Sequence, residues 1–428
     1  MVVLLAAAPW LLFPGGWRSA VLIVLPLLWI GNRIVTGHFI ARTPYDVVIL
    51  GLLLMVLVSL YATYDIAVSL PKITGVLLGV GTFYVVVGFI DTPKQLDQVL
   101  MVLLLGVAVF LGVVLVGSNW GNKFAMLQQL SARLPSFFRG LPGADTGFHP
   151  AEVGGALTWL VFIPVTVAIG LWTQGRIRRS WPWLIGLGVL TAALLLALLL
   201  TQSRSAWIGV AAGVAVLLWL LGRWGRVMLG IGIAILMILL ALGVPERLIS
   251  NSGSSLVTAA DQAAFNPSLV DRTEIWSRAI YGLQDFPFTG MGLGTFRYIM
   301  PVLYPLFSVS PDVDLGHAHN EWLQAGVDLG LAGLVAFVAL QGLALVLTYR
   351  AFRMDWPVMM RWLMAGVLAG LVAHSLYGLT DAVALGAKPG IFVWVLLGLS
   401  AAVWRLGMTQ ALQSSDASSS GQAVQSTV

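Results

Sequence analysis

The sequence predicts an all-α, polytopic transmembrane bundle of about twelve spans carrying one large loop domain on one side of the bilayer. Three observations carry that expectation. Of 428 residues, 59% are hydrophobic and only 10% are Asp, Glu, Lys or Arg, against roughly 25% charged in a soluble domain. The mean hydropathy is +0.92. The apolar runs are continuous over about 20 residues, the length of a membrane-crossing helix, whereas barrel strands alternate over about ten. A soluble enzyme, a nucleic-acid-binding module and a disordered scaffold are excluded, and the basic pI near 9.6 needs a membrane explanation first. The 17 Trp fit the same setting, because indole rings favour bilayer interfaces. With no Cys, disulfides, thiolate nucleophiles and Cys-based metal sites are ruled out.

Taken in order, polar breaks delimit spans at 2–14, 18–32, 45–62, 70–90, 96–117, 150–173, 181–201, 204–222, 226–244, 319–349, 357–380 and 389–409. The apolar start has no basic leader region and no small-residue cleavage site, so it reads as a retained first span. With the N-terminus inside, the inner loops collect twelve basic and five acidic residues, among them Arg176, Arg178, Arg179, Arg223, Arg226, Arg350, Arg353 and Arg361. That bias places both termini of a multi-pass membrane protein in the cytoplasm. Two outer loops are long. Residues 118–149 read as an interfacial amphipathic segment. Residues 245–318 are too long for a connector and read as a functional loop domain between the span groups 1–244 and 319–410. Within it, Ile275, Ile280 and Leu283 interleave with Arg272, Glu274 and Arg278 at the spacing of an amphipathic helix. The Ser-rich tail, 411–428, reads as disordered.

In a chain this poor in ionisable groups, each one at a membrane boundary is informative, because a charge at mid-span costs several kcal/mol. Four outer clusters stand out. In Gly316-His317-Ala318-His319-Asn320-Glu321, a neutral His can take a proton from a hydroxyl while a neighbouring carboxylate or amide fixes its tautomer; the plainer reading is a polar helix start anchored at the interface. Gly326 and Gly330 make a GxxxG spacing, which points to close helix packing. In Thr201-Gln202-Ser203-Arg204-Ser205-Ala206-Trp207, Arg204 offers a forked donor set suited to phosphate oxygens, or it snorkels to the headgroups from a tight turn. In Asp271-Arg272-Thr273-Glu274-Ile275-Trp276, Glu274 and Arg278 are spaced i,i+4 and should pair, leaving Arg272 the freer cation for an anionic ligand, against a merely solvated helix face. Gly290-Met291-Gly292-Leu293-Gly294-Thr295-Phe296 follows no strand and precedes no clear helix, so it reads as a turn and not a phosphate loop. Gly147-Phe148-His149-Pro150 reads as a loop terminus. No metal site is expected: a helical His-x-His sends the His317 and His319 imidazoles to different faces.

His319-Asn320, nine residues, Gly330, two residues and Gly333 resemble the H-[NSQ]-x9-G-x-x-[GTY] pattern of the O-antigen ligase and O-antigen polymerase family. The Ser-Arg-Ser-Ala-Trp turn, the Arg-x-Glu-Ile-Trp helix and the Gly-x-Gly-x-Gly-Thr-Phe turn are similar too, so the ordered set spans 201–333. The resemblance implies a GT-C-like membrane glycosyltransferase that moves a glycan from undecaprenyl diphosphate to an acceptor hydroxyl without metal or other cofactor. The acceptor is the lipid A core in ligases, a growing glycan in polymerases and a protein side chain in related oligosaccharyltransferases. It implies His319 as catalytic base, with Arg204 and Arg272 on the diphosphate and with His317, Asn320 and Glu321 in support. The rival reading is a transporter or flippase, for which only Asp328 and His374 come near the midplane; a scaffold would leave the outer Arg and His residues without a role.

Overall fold

In the computed structural model, the described residues are 42–120, 147–174, 177–241, 269–309 and 314–425, with scattered positions between 27 and 134. The expected spans 2–14 and 18–32 and most of the 118–149 loop lie outside them, as do 242–268 of the large loop. The remaining ten spans appear as helices: α1 (Asp46–Ala62), α2 (Ile66–Phe89), α3 (Pro93–Gly117), α4 and α5 (Pro150–Leu160 and Phe162–Thr173, one span broken at Val161), α6 (Ile177–Thr201), α7 (Arg204–Leu220) and α8 (Arg223–Ala241). Two helices of the large loop, α9 (Leu269–Asp285) and α10 (Phe296–Leu303), precede α11 (Glu321–Arg353), α12 (Val358–Tyr377) and α13 (Ile391–Gln425). Seven of the described helical stretches are long and apolar enough to cross a membrane. The described residues contain no strand, only an isolated bridge between Ser118 and Phe148. Helix α13 continues to Gln425, through the Ser-rich segment read from sequence as a tail.

Local chemistry sets the helix starts. Asp65 caps α2 by accepting from Ala67 N, Thr92 caps α3 with Pro93 at its first position, and Asn320 caps α11 by accepting from Leu323 N at 2.9 Å; each satisfies a backbone donor that the helix leaves open. The core is organised around α12, which packs on α4, α5, α7 and α11, while α13 packs on α2 and α11 on α1. The large-loop helices have a small core of their own, built from Ile275, Ala279, Met291, Phe296 and Met300 with Ala318 and Val327 of the following segment. Ile280, expected on the apolar face of α9, is instead 42% exposed, and Ala279 takes the buried place.

Helix α11 is not continuous. Gly330 has φ 73° and ψ −177°, a region open essentially to glycine alone. The break lets the loop ahead of α10 insert: Pro287 O accepts from Leu331 N at 2.7 Å and Val327 O accepts from Met291 N at 2.7 Å. The two glycines of the GxxxG spacing therefore do different jobs. A Cβ on Gly326 would meet Leu283 of α9 at 3.2 Å, so this one is a packing glycine; a Cβ on Gly330 would meet Pro287 O at 2.7 Å on a backbone that disfavours it. Gly330→Ala is expected to destabilise the fold by about 1–3 kcal/mol, read as a lower thermal midpoint in detergent, with Gly326→Ala costing less.

Candidate active site

The segment ahead of α11 is not helical, and His319 has φ 47°, a left-handed conformation uncommon for a residue with a side chain. Four hydrogen bonds hold it there. Ala318 N donates to Gln324 Oε1 (2.7 Å), His319 N to His317 Nδ1 (3.1 Å), Trp276 Nε1 to His319 O (3.2 Å) and Asn320 Nδ2 to Leu379 O (2.9 Å). This backbone turn buries the His319 ring against the loop after α12, where Nδ1 lies 3.3 Å from Asp381 Oδ1. The other carboxylate oxygen lies 3.9 Å from a guanidinium nitrogen of Arg272, whose buried Nε has no hydrogen-bond partner among the described residues. One carboxylate thus links the His loop, the first turn of α9 and the end of α12.

The electrostatics follow from that link. Burial alone would raise the Asp381 pKa, but the hydrogen bond from His319 and the charges of His319, His317 and Arg272 hold it well below the usual carboxylate range. Asp381 is therefore an anion enclosed by cationic and imidazole groups. Burial first, and then His319, push the half-buried His317 well below the ordinary histidine value; His149 and Lys72 add to the effect and Asp381 opposes it. Lys72 of α2 and His149 at the start of α4 thus belong to the same electrostatic neighbourhood. Because the folded chain keeps His317 neutral, acidification below about pH 6.5 lets the unfolded chain bind a proton that the native state refuses. Stability is expected to fall there, and His317→Gln should flatten that limb of a pH series of thermal midpoints.

Two expectations about this cluster change. The imidazoles of His317 and His319 do not diverge: with the segment non-helical, their centroids are 4.4 Å apart, and one ligand atom each from His317, His319 and Asp381 lie within 4.8 Å of one another. These three residues have the chemistry and the spacing to hold a metal ion. Arg272 is not free either, since it faces Asp381, whereas Glu274 and Arg278 pair at 3.4 Å as their spacing predicts, with Glu274 also accepting from Phe307 N and Ser308 N at 2.8 Å.

The other sequence candidates separate. Arg204 is exposed at the first position of α7 and has no ion pair with a described residue. Its neighbour Ser205 hydrogen-bonds Thr380 Oγ1 at 2.8 Å, so the Arg204 turn is tied to the loop bearing Asp381. Asn320 is a helix cap that also ties the two loops together. Glu321 turns away from His319: its N donates to Gly378 O at 2.8 Å, and its carboxylate is 2.8 Å from Nε2 of His374, close enough for an ion pair though not aligned as a hydrogen bond. His374 in turn stacks on Trp159 and places Nδ1 3.1 Å from both Thr158 Oγ1 and Gly155 O. The glycine-rich segment is a turn as expected, with φ of 65°, 100° and 80° at Gly290, Gly292 and Gly294. Contrary to expectation it does precede a helix, α10, and it bonds Asp328 through Gly294 N at 3.3 Å. Asp328, which also accepts from Gln324 Nε2 at 2.9 Å, sits above the Gly330 break, and His374 sits one turn from the end of α12. Both lie toward the His319 end of their helices and not at their middles.

Asp381 is the residue the sequence reading missed. It stands alone between two apolar spans, without a basic neighbour or a motif, although an isolated acid at a membrane boundary is itself a signal.

A multi-pass, all-helical membrane protein that gathers histidine, carboxylate and guanidinium groups at one end of its helices is the class that fold and site define. Residues 189–338 match the family model described as O-Antigen ligase, so this segment is similar to that family, whose members are glycosyltransferase-like ligases and polymerases. Arg204, Arg272, His319, Gly330 and Gly333 all lie within the match, and Asp381 lies beyond it. No curated protein matches the chain.

Proposed function

We propose that the protein transfers a glycan from an undecaprenyl-diphosphate carrier to an acceptor hydroxyl, in the manner of an O-antigen ligase acting on the lipid A core, at the periplasmic face of the inner membrane. The observation that supports this most is the His319–Asp381–Arg272 arrangement. With Nδ1–H directed at Asp381, His319 Nε2 is left as the base. It takes the acceptor proton as the hydroxyl oxygen bonds the anomeric carbon and the bond from that carbon to the diphosphate oxygen breaks. The departing undecaprenyl diphosphate gains charge, which Arg272, Arg204 and Lys72 offset; guanidinium groups in a partly desolvated cleft stabilise that charge more in the transition state than in the ground state. Polymerase chemistry on a growing glycan uses the same steps and is the second reading, since the family match covers both activities.

The deciding experiment incubates the reconstituted protein with a defined lipid-linked oligosaccharide and either lipid A core or glycan acceptor, resolving products by mass. Transfer to lipid A core supports the ligase, and extension of the glycan supports the polymerase. Movement of the lipid across vesicles with no glycosidic product overturns both. The ring nitrogens facing Asp381 and the His319 amide are occupied by those contacts, and the proposed chemistry needs no Lewis acid. Chelator treatment is therefore expected to leave transfer unchanged within about twofold, while added Zn²⁺ should inhibit by competing for the imidazoles. Loss of transfer on chelation, restored by metal, would instead make the His317, His319 and Asp381 cluster a metal centre.

A further inference from the structure

At the end of the bundle opposite His319, the helix termini enclose an open cavity of about 500 Å³. Its walls come from the last turn of α7, the first turns of α8 and α12, and the last turns of α11. Three guanidinium groups line it, Arg226, Arg353 and Arg361, with one carboxylate, Asp355. None of the four forms an ion pair with a described residue. Two of the cations are held over aromatic faces: Arg226 lies 5.6 Å from the Trp219 ring and Arg361 5.8 Å from the Phe352 ring. Stacking of this kind restrains a long side chain without consuming its hydrogen-bond donors.

A bias of basic residues toward one end of the helices is explained by membrane orientation. Orientation alone does not require three of them, from three helices, to converge on one cavity with little carboxylate to neutralise them. We propose that this cavity binds a phosphate-bearing anion, and that its occupant is the headgroup of an anionic phospholipid. The cavity opens where spanning helices end, the depth of headgroup phosphates, and a basic pocket between transmembrane helices is suited to such a group. Its volume falls within the range of small-ligand sites, roughly 300–1,000 Å³. The site is independent of the glycan chemistry, since Arg353 lies 23 residues beyond the Gly330 break in α11, roughly 35 Å of helix at 1.5 Å per residue.

The test uses the full chain in detergent and native mass spectrometry to count retained phosphatidylglycerol, with phosphatidylcholine as the neutral comparison. A triple variant, Arg226→Gln, Arg353→Gln and Arg361→Gln, empties the cavity of cations. A second triple variant, Arg42→Gln, Arg223→Gln and Arg350→Gln, removes the same charge outside it. Wild type and the second variant are expected to retain one phosphatidylglycerol that the first binds about tenfold more weakly or loses. Parallel titrations with inorganic phosphate and pyrophosphate identify the source: cavity-dependent binding of these ions without phosphatidylglycerol binding would replace the lipid by a soluble phosphate ligand and overturn the headgroup assignment. Equal behaviour of the two triple variants toward every probe would overturn the site itself, with helix content by circular dichroism confirming that both are folded.

Discussion

Replacing His319 with alanine is expected to lower glycan transfer by about 10²–10⁴-fold, the range a positioned general base contributes, while binding of the lipid-linked donor persists. The separation follows from the geometry. The groups proposed to hold the diphosphate, Arg272, Arg204 and Lys72, come from α9, α7 and α2, and none of them depends on the imidazole for its place. The ring is buried, so a smaller side chain at 319 removes the base without a new clash. Measurement of donor binding beside single-turnover transfer distinguishes the outcomes. Full transfer by His319→Ala would remove the base assignment, and loss of donor binding together with transfer would show that His319 acts in binding.

The second large effect is expected at Asp381. It touches no proposed reacting atom and acts through His319, so it is a positioning residue. Asp381→Asn keeps the shape of the side chain but presents an amide where an anion held the imidazole and faced Arg272. Turnover is expected to fall by roughly 10²–10⁴-fold, with KM for the donor little changed, and Asp381→Glu should restore part of the loss. A purely structural role would move the thermal midpoint and KM along with turnover. An Asp381→Asn protein with wild-type turnover would exclude the carboxylate from the site.

How much of this was legible in the sequence depends on the range of the interaction. The helices of ten expected spans were recoverable, seven of them long and apolar enough to cross a membrane, because burial in lipid imposes long apolar runs whatever the packing. The Glu274–Arg278 pair was recoverable because i,i+4 neighbours meet on any helix. Arg204 and His319 could be placed at one end of the bundle, since each sits where a span begins. The divergence expected of His317 and His319 was wrong because it assumed helical geometry, whereas Ala318 and His319 are held off the helix by Gln324 and Trp276, contacts that only the folded chain supplies. Glu321 stood beside His319 in the chain yet serves His374, because the helix cap at Asn320 sends consecutive side chains to different neighbours.

By itself the sequence determined a helical membrane protein, the end of the bundle where its chemistry gathers, and the resemblance that residues 189–338 bear out. Its charge bias also marked the opposite end as cationic. Only the tertiary structure decided which groups meet. Asp381 reaches His319 across 62 positions of the chain, the break at Gly330 admits the turn that holds Asp328, and Arg226, Arg353 and Arg361 enclose one cavity. The physical reason is that apolar periodicity and helix caps act within a few residues, whereas the pairing of rare polar groups is fixed by how long helices pack, a property no local stretch encodes.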